Sequence, residues 1–291
     1  MDMTKYPSVQ IGNFQLRILN GGSFSLDGGA MFGVVPRTMW SREEPPDPLN
    51  RIRLHCNCLL ISRENDHVLV ETGMGFSWTE KQRHRFAIDS GSLEQSLEDL
   101  NLQVSSITHV VNTHLHFDHA GGNFINLNGE SVPRYPRASY YVQEREWTHG
   151  LNPTWKDRAS YRSEDFEKLE LRGQLVRLEG ASEIIPGIRV LSVGGHSPGM
   201  QLVEVRDGSE RAVFLADLIP TRHHVRLPWL MAYDSYPITT LQVKENLLPE
   251  LAEDGSLVVL YHDNRFPMGH IRREGNDSFQ FIYLPIFNPE N

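Results

Sequence analysis

Apolar residues recur along this chain with two different periods, and the way the periods alternate predicts a mixed α/β protein. Period-two spacing over Phe14 to Leu19, Cys56 to Ser62 and His67 to Glu71 predicts strands. Leu93, Leu97 and Leu100 fall at helical spacing, so Ser92 to Leu102 predicts a helix that feeds the next alternating run, Thr108-His109-Val110-Val111-Asn112-Thr113. The second half starts again with strands at Ala138 to Val142 and Gly187 to Val193. Gln201 to Val205 and Ala212 to Ala216 then flank Arg206-Asp207-Gly208-Ser209, which reads as a hairpin. Leu241, Leu247, Leu248 and Leu251 stripe a helix over Thr239 to Ala252, and Ser256 to Tyr261 has the unbroken apolar character of a buried strand. No internal repeat, low-complexity tract or long linker separates the halves, so residues 1–291 are expected to form a single domain.

Residues 21–40 break this rhythm. Met31, Phe32, Val34, Val35, Met39 and Trp40 are too apolar for a free loop, while the glycines of Gly21 to Gly33 disfavour a regular strand. A Gly-rich loop is therefore expected here, covering a pocket or a subunit interface or packing on its own domain. Trp229, Met231 and Tyr233 invite the same readings, and His223 and His224 are expected at a polar rim.

Composition narrows the partners. A net charge of −9 argues against a non-specific polyanion binder, so nucleic acid is not expected. Met1 to Gly12 has no apolar signal-like run, and no segment approaches the roughly 18 apolar residues of a membrane span, so a cytoplasmic protein without a membrane partner is expected. Cys56 and Cys58 alternate onto one face of a strand, poor geometry for a mutual disulfide; buried reduced thiols are expected, with metal binding the alternative.

The candidate chemistry lies in His114-Leu115-His116-Phe117-Asp118-His119, four potential metal ligands in six residues directly after an apolar strand. In an extended segment residues two apart face the same way, so His114 and His116 can clasp one ion. Asp118 and His119 diverge from them unless the chain bends, and a bend would offer a second site. Imidazole and carboxylate suit zinc and its first-row neighbours. Two such ions roughly 3.5–4 Å apart can share one hydroxide and clamp both ends of a bond being displaced. The alternative is a solvated, histidine-rich loop.

Three further residues each follow an apolar strand: His196, Asp217 and His262. Singly, the histidines read as ordinary hydrogen-bonded side chains and the aspartate as a turn or helix cap. Together with His114 to His119, the chain resembles the metallo-β-lactamase superfamily. The motifs are His114-Leu115-His116-Phe117-Asp118-His119, Gly195-His196-Ser197-Pro198-Gly199, Asp217, His262, and Glu71-Thr72-Gly73-Met74-Gly75 where an Asp-Thr-Gly turn is common. The resemblance implies an αββα sandwich, two mixed sheets flanked by helices, with the metals at one sheet edge. It implies His114, His116 and His196 on the first metal, Asp118, His119 and His262 on the second, and Asp217 bridging. Zinc is the metal implied, while manganese, cobalt and iron suit the same donors.

Within the superfamily, Gly21 to Pro36, Ala216 to His224 and Trp229 to Asp234 look like the quorum-quenching N-acyl-homoserine lactonases. That likeness implies a homodimer that opens lactone rings through a metal-bridging hydroxide, with Asp118 passing a proton to the departing alkoxide. Pro220 stands where many of those enzymes carry a tyrosine, and Glu71 lengthens the usual aspartate. An aryl-ester or organophosphate hydrolase on the same site is the enzyme alternative, and a non-catalytic metal- or ligand-binding protein is the other. β-Lactamase activity is disfavoured because no cysteine follows the second-half strands, and a diiron redox site would be expected to carry Glu at His116.

Overall fold

In a computed structural model describing residues 6–287, the chain forms two seven-stranded sheets and one small hairpin. The ends of the expected 1–291 domain lie outside the described residues. The first sheet contains β1 (Ser8–Ile11), β2 (Phe14–Asp27), β3 (Arg51–Arg63) and β4 (Asp66–Val70), all antiparallel, with β5 (His109–Val111) parallel to β4. After the hairpin of β6 (Phe124–Leu127) and β7 (Glu130–Pro133), β8 (Ser139–Gln143) and β9 (Leu175–Leu178) extend this sheet in parallel. The second sheet runs β10 (Ser182–Ile185), β11 (Ile188–Ser192), β12 (Gln201–Asp207) and β13 (Glu210–Phe214), antiparallel throughout. β14 (Leu257–Val259) joins β13 in parallel, and β15 (Met268–Arg273) and β16 (Phe279–Tyr283) finish the sheet.

Strand direction explains why the candidate ligands meet. Parallel neighbours end at the same sheet edge, so Glu71 after β4 and His114 beyond β5 leave together, as do Asp217 after β13 and His262 after β14. β11 and β13 are both antiparallel to β12 and therefore run the same way, which brings His196 to that edge too. Backbone bonds stitch the sheets there: Gln201 N donates to Thr113 O and Asn57 N to Tyr261 O, both at 2.9 Å. Both sheets feed one apolar core, including Leu59, Ile61, Val110, Leu202 and Val213.

Among the described residues eight α-helices flank the sheets: α1 (Gly28–Phe32), α2 (Arg37–Glu43), α3 (Glu80–Phe86), α4 (Leu93–Asp99), α5 (Phe117–Ala120), α6 (Glu144–Leu151), α7 (Lys168–Leu171) and α8 (Pro237–Glu253). The helix expected from Ser92 is shorter than its leucine pattern. Ser92 caps it, accepting from Gln95 N at 3.1 Å, but Asn101 turns left-handed at φ 59° and reverses the chain. Among the described residues no helix is long and apolar enough to cross a membrane. Cys56 and Cys58 are buried free thiols on β3, and burial raises both thiol pKa values.

Residues 21–40 are not the loop their glycines suggest. β2 continues through Gly21 to Asp27, with a register shift against β3 between Asn20 and Ser23. Gly22 lies there at φ 109°, and a Cβ on it would stand 2.6 Å from Asp89 O, so glycine permits the bulge rather than ending the strand. Asp27 then caps α1 through Ala30 N at 2.9 Å. Phe32 and Trp40 stack at 5.2 Å inside the core, while Val34 and Met39 stay exposed.

His223 and His224 are not at a rim; both are buried. His224 Nε2 lies 2.8 Å from Met31 O, Thr221 Oγ1 lies 2.8 Å from its Nδ1, and its ring stacks on Phe32 at 5.1 Å. Burial, with the nearby positive charge of Lys244 and His223, pushes its pKa down to about 3. The unfolded imidazole titrates at about 6.5, so between the two values only the unfolded chain takes the proton. Stability therefore falls as pH drops from 6.5, by about 1.4 kcal/mol per unit at full slope. Metal-stripped His224→Gln should be less stable at pH 7 yet lose less on going to pH 5. Urea unfolding of both proteins at both pH values tests this, and identical pH dependence would refute it.

Candidate metal centre

The first ligand segment leaves β5 through Asn112 and Thr113. Leu115 is buried in the core, and the alternation puts His114 and His116 on the opposite side, facing the second sheet. His116 caps the single turn of α5, which brings Asp118 and His119 back over the same edge. His196 follows Gly194-Gly195; a Cβ on Gly195, at φ 91°, would stand 2.7 Å from Thr240 Oγ1 of α8, so the turn can sit against that helix only as glycine. Asp217 lies in a 3-10 turn entered through Ala216 at φ 46°.

All seven residues converge in two groups. His116 Nδ1 lies 3.1 Å from both His114 Nε2 and His196 Nε2. Asp118 Oδ2 lies 3.3 Å from His262 Nε2 and 3.8 Å from His119 Nε2. Asp217 stands between the groups, with Oδ2 3.2 Å from His196 Nε2 and Oδ1 3.2 Å from His262 Nε2 and 3.5 Å from His119 Nε2. In each three-residue group the donor atoms all lie within 4.8 Å of one another.

The donor set fits divalent cations. Four of the histidines engage an outer partner with Nδ1, leaving Nε2 inward: His114 with Thr113 Oγ1 at 3.1 Å, His119 with Glu71 Oε1 at 3.1 Å, His196 with Asp234 Oδ1 at 3.0 Å, and His262 with His55 O at 2.8 Å. Such partners fix the tautomer that offers a lone pair to a metal. His119 Nε2 and Asp217 Oδ1 are buried without a hydrogen-bond partner, an arrangement that costs free energy unless a cation faces them. Glu71 fits this scheme in spite of its extra methylene: fully buried, it accepts from the Thr113 hydroxyl and N–H as well as facing His119.

Electrostatics sets His114 and His116 apart from the other histidines of the cluster, since Asp217 and Asp234 overcome burial at His196 and raise its pKa. Burial, reinforced by neighbouring imidazoles, holds His114 well below the usual histidine range and His116 down to about 3. In the second group burial would lower the pKa, but Asp118, Asp217 and Glu71 outweigh it and hold His119 well above its ordinary value. Asp217 and Asp118 likewise overcome burial at His262 and lift it to about 9. Asp217 itself is buried, yet His262, His119 and His196 hold its carboxyl well below the usual range.

A cavity of about 220 Å³ opens over the cluster. Its apolar lining comes from Leu26, Met31, Leu54, Phe86 and Phe117, with Arg85 and Tyr233 as polar additions. Of the segments left open by the sequence, Met31 and Tyr233 are thus pocket wall. Sequence reasoning missed Asp234 as the His196 partner, along with Arg85 and Phe86; Asp234 closes the Trp229 to Asp234 run already singled out, whereas α3 carries no such signal.

Residues 51–262 match the model of the metallo-beta-lactamase superfamily. The N-acyl homoserine lactonase AttM of Agrobacterium fabrum is 26% identical over 182 residues, covering 60% of this chain and 65% of that relative. The chain thus spans somewhat less than two thirds of the curated relative it matches. Among solved structures, a "probable metal-dependent hydrolase" from Staphylococcus aureus aligns at TM-score 0.87 and 29% identity, covering 94% of this chain and 99% of that one. AidC, a dizinc quorum-quenching lactonase in complex with a product, shares the fold at TM-score 0.77 and 19% identity, covering 96% and 97%.

Proposed function

The chain belongs to the metallo-beta-lactamase superfamily, and from that premise we propose that it is a dinuclear metal hydrolase that opens lactone rings, N-acyl homoserine lactones foremost. The observation that carries this reading is Asp217, whose two oxygens face two different three-residue ligand groups. His114, His116 and His196 would hold the first cation, Asp118, His119 and His262 the second, with Asp217 shared. Zinc is the cation of choice, with manganese, cobalt and iron compatible. Such ions supply deprotonated water near neutral pH and a Lewis acid for a carbonyl oxygen.

The chain's own residues do the rest. Leu26, Met31, Leu54, Phe86 and Phe117 offer an acyl chain an apolar wall and keep bulk water from the cluster. Tyr233 lines the same cavity, and its hydroxyl has no hydrogen-bond partner among the described residues, leaving it available to a polar group of the substrate in a chain that carries Pro220. Asp118 Oδ2, beside His262, would hold the proton for the alkoxide. Glu71 and Asp234 keep His119 and His196 oriented. Val34 and Met39 are the exposed apolar residues of the 21–40 stretch available to a homodimer.

The test is kcat/KM of metal-reconstituted protein on acyl homoserine lactones of graded chain length, beside simple lactones, aryl esters and a phosphotriester. The lactones are expected to lead, with activity rising as the acyl chain fills the apolar wall. A decisive preference for the phosphotriester or aryl ester would replace the lactone reading, and metal-loaded protein that binds lactone without turnover would leave only a binding role.

A further inference from the structure

Beyond the seven-residue cluster, α6 carries one fully buried carboxylate, Glu146, between the loops that bear the first three histidines. Its Oε1 accepts from the Leu115 N–H at 3.0 Å and the Tyr161 hydroxyl at 2.9 Å. Its Oε2 accepts from the Ser197 hydroxyl at 2.6 Å and the Gly199 N–H at 3.1 Å. Leu115 lies between His114 and His116, and Ser197 follows His196. Tyr161 packs its ring on His116, centroids 4.7 Å apart, and is bridged to it through the backbone. The approach on the other side is equally close, for a Cβ at Gly199 would stand 2.2 Å from Glu146 N.

Only a group with no donor of its own can accept all four bonds. Burying such a charge is costly, and among the described residues no cation pairs with it, so four fixed dipoles must hold it. None of those donors belongs to the second ligand group, which, besides the bond from His119 N to His116 O at 3.0 Å, has fastenings of its own: Thr72 N donates to His119 O at 2.9 Å, and Tyr261 Oη to Asp118 O at 2.5 Å.

We propose that Glu146 is a positioning residue that ties the His114–His116 segment to the His196 turn and so sets the affinity of the first cation site, leaving the second untouched. This rests on the two-cation reading above. Glutamine has the same shape, but whichever way its amide is flipped, the NH2 faces a backbone N–H, that of Leu115 or of Gly199.

Full-length wild type and Glu146→Gln, stripped and titrated with cobalt against a chromophoric chelator, give the affinity of each equivalent and its absorption band. One equivalent should weaken by about tenfold to hundredfold, the range for lost outer partners of metal ligands, with the other equivalent and its band unchanged. Ser197→Ala removes one donor, keeps the carboxylate, and should weaken the same equivalent by a smaller factor with the Tm of metal-free protein preserved; it carries the test if Glu146→Gln fails to fold. Parallel weakening of both equivalents, or no weakening in either variant, would overturn the proposal. Wild type that takes up no cobalt would instead overturn the two-cation reading, and this inference with it.

Discussion

Asp217→Asn is expected to be the most damaging single substitution in the chain, lowering kcat/KM by about a thousandfold or more, the equivalent of roughly 4 kcal/mol of lost transition-state stabilisation. Asp217 faces both ligand groups with one carboxylate: Oδ2 serves the His196 side and Oδ1 the His119 and His262 side. Asparagine keeps the shape but replaces one carboxylate oxygen with an NH2 group, which has no lone pair to offer a cation. Breaking a buried charge pair by removing one partner typically costs about 3–5 kcal/mol. Here part of that loss would be avoided, because His119, His196 and His262 can release protons once the carboxylate that lifts their pKa values is gone. The fold should therefore survive better than the metal site. Elemental analysis after dialysis should show the variant holding fewer ions than wild type, with circular dichroism unchanged. Two retained ions and wild-type turnover would show that Asp217 bridges nothing.

The contrast between legible and illegible residues has a physical origin. The nearness of His114, His116, Asp118 and His119 follows from alternation and one helical turn, which are short-range geometry. The meeting of His196, Asp217 and His262 with them was expected from the family resemblance, and in the structure strands of like direction bring it about. The residues that support them could not be read. Glu146 opens α6 among Glu144 and Arg145 and looks like any solvated helix charge; only the packing of three separate loops buries it. Asp234 finds His196 across 38 residues of sequence, which no period encodes. Residues 21–40 misled for the opposite reason. Glycine's local preference argued against a strand, but the long pairing with β3 overrode it and used Gly22 as a bulge. His223 and His224 lie in a polar local context, yet Phe32, stacked on His224 and edge-on to His223, helps to cover both.

Asp118→Asn should separate proton delivery from metal binding. Asp118 faces His262 Nε2 at 3.3 Å and also lines the cavity, so it touches both the second ligand group and the space where a substrate would lie. His119 and His262 overcome its burial and keep its carboxyl below the ordinary aspartate pKa, as a ligand requires. As a proton carrier it would be needed most when the leaving group is a poor one. A lactone ring opens to an alkoxide, which must be protonated as it departs, whereas an aryl ester releases a stabilised phenolate that needs little help. Loss of a general acid is expected to lower kcat on lactone by about a hundredfold or more, with the same protein losing far less on the aryl ester. The Asp118 backbone, anchored by Tyr261 and the α5 turn, is unaltered by the change, so the Tm should stay near that of wild type. Measured at equal metal loading, a defect of the same size on both substrates would assign Asp118 to metal binding alone. Unchanged turnover on both, with metal content intact, would remove it from the chemistry altogether.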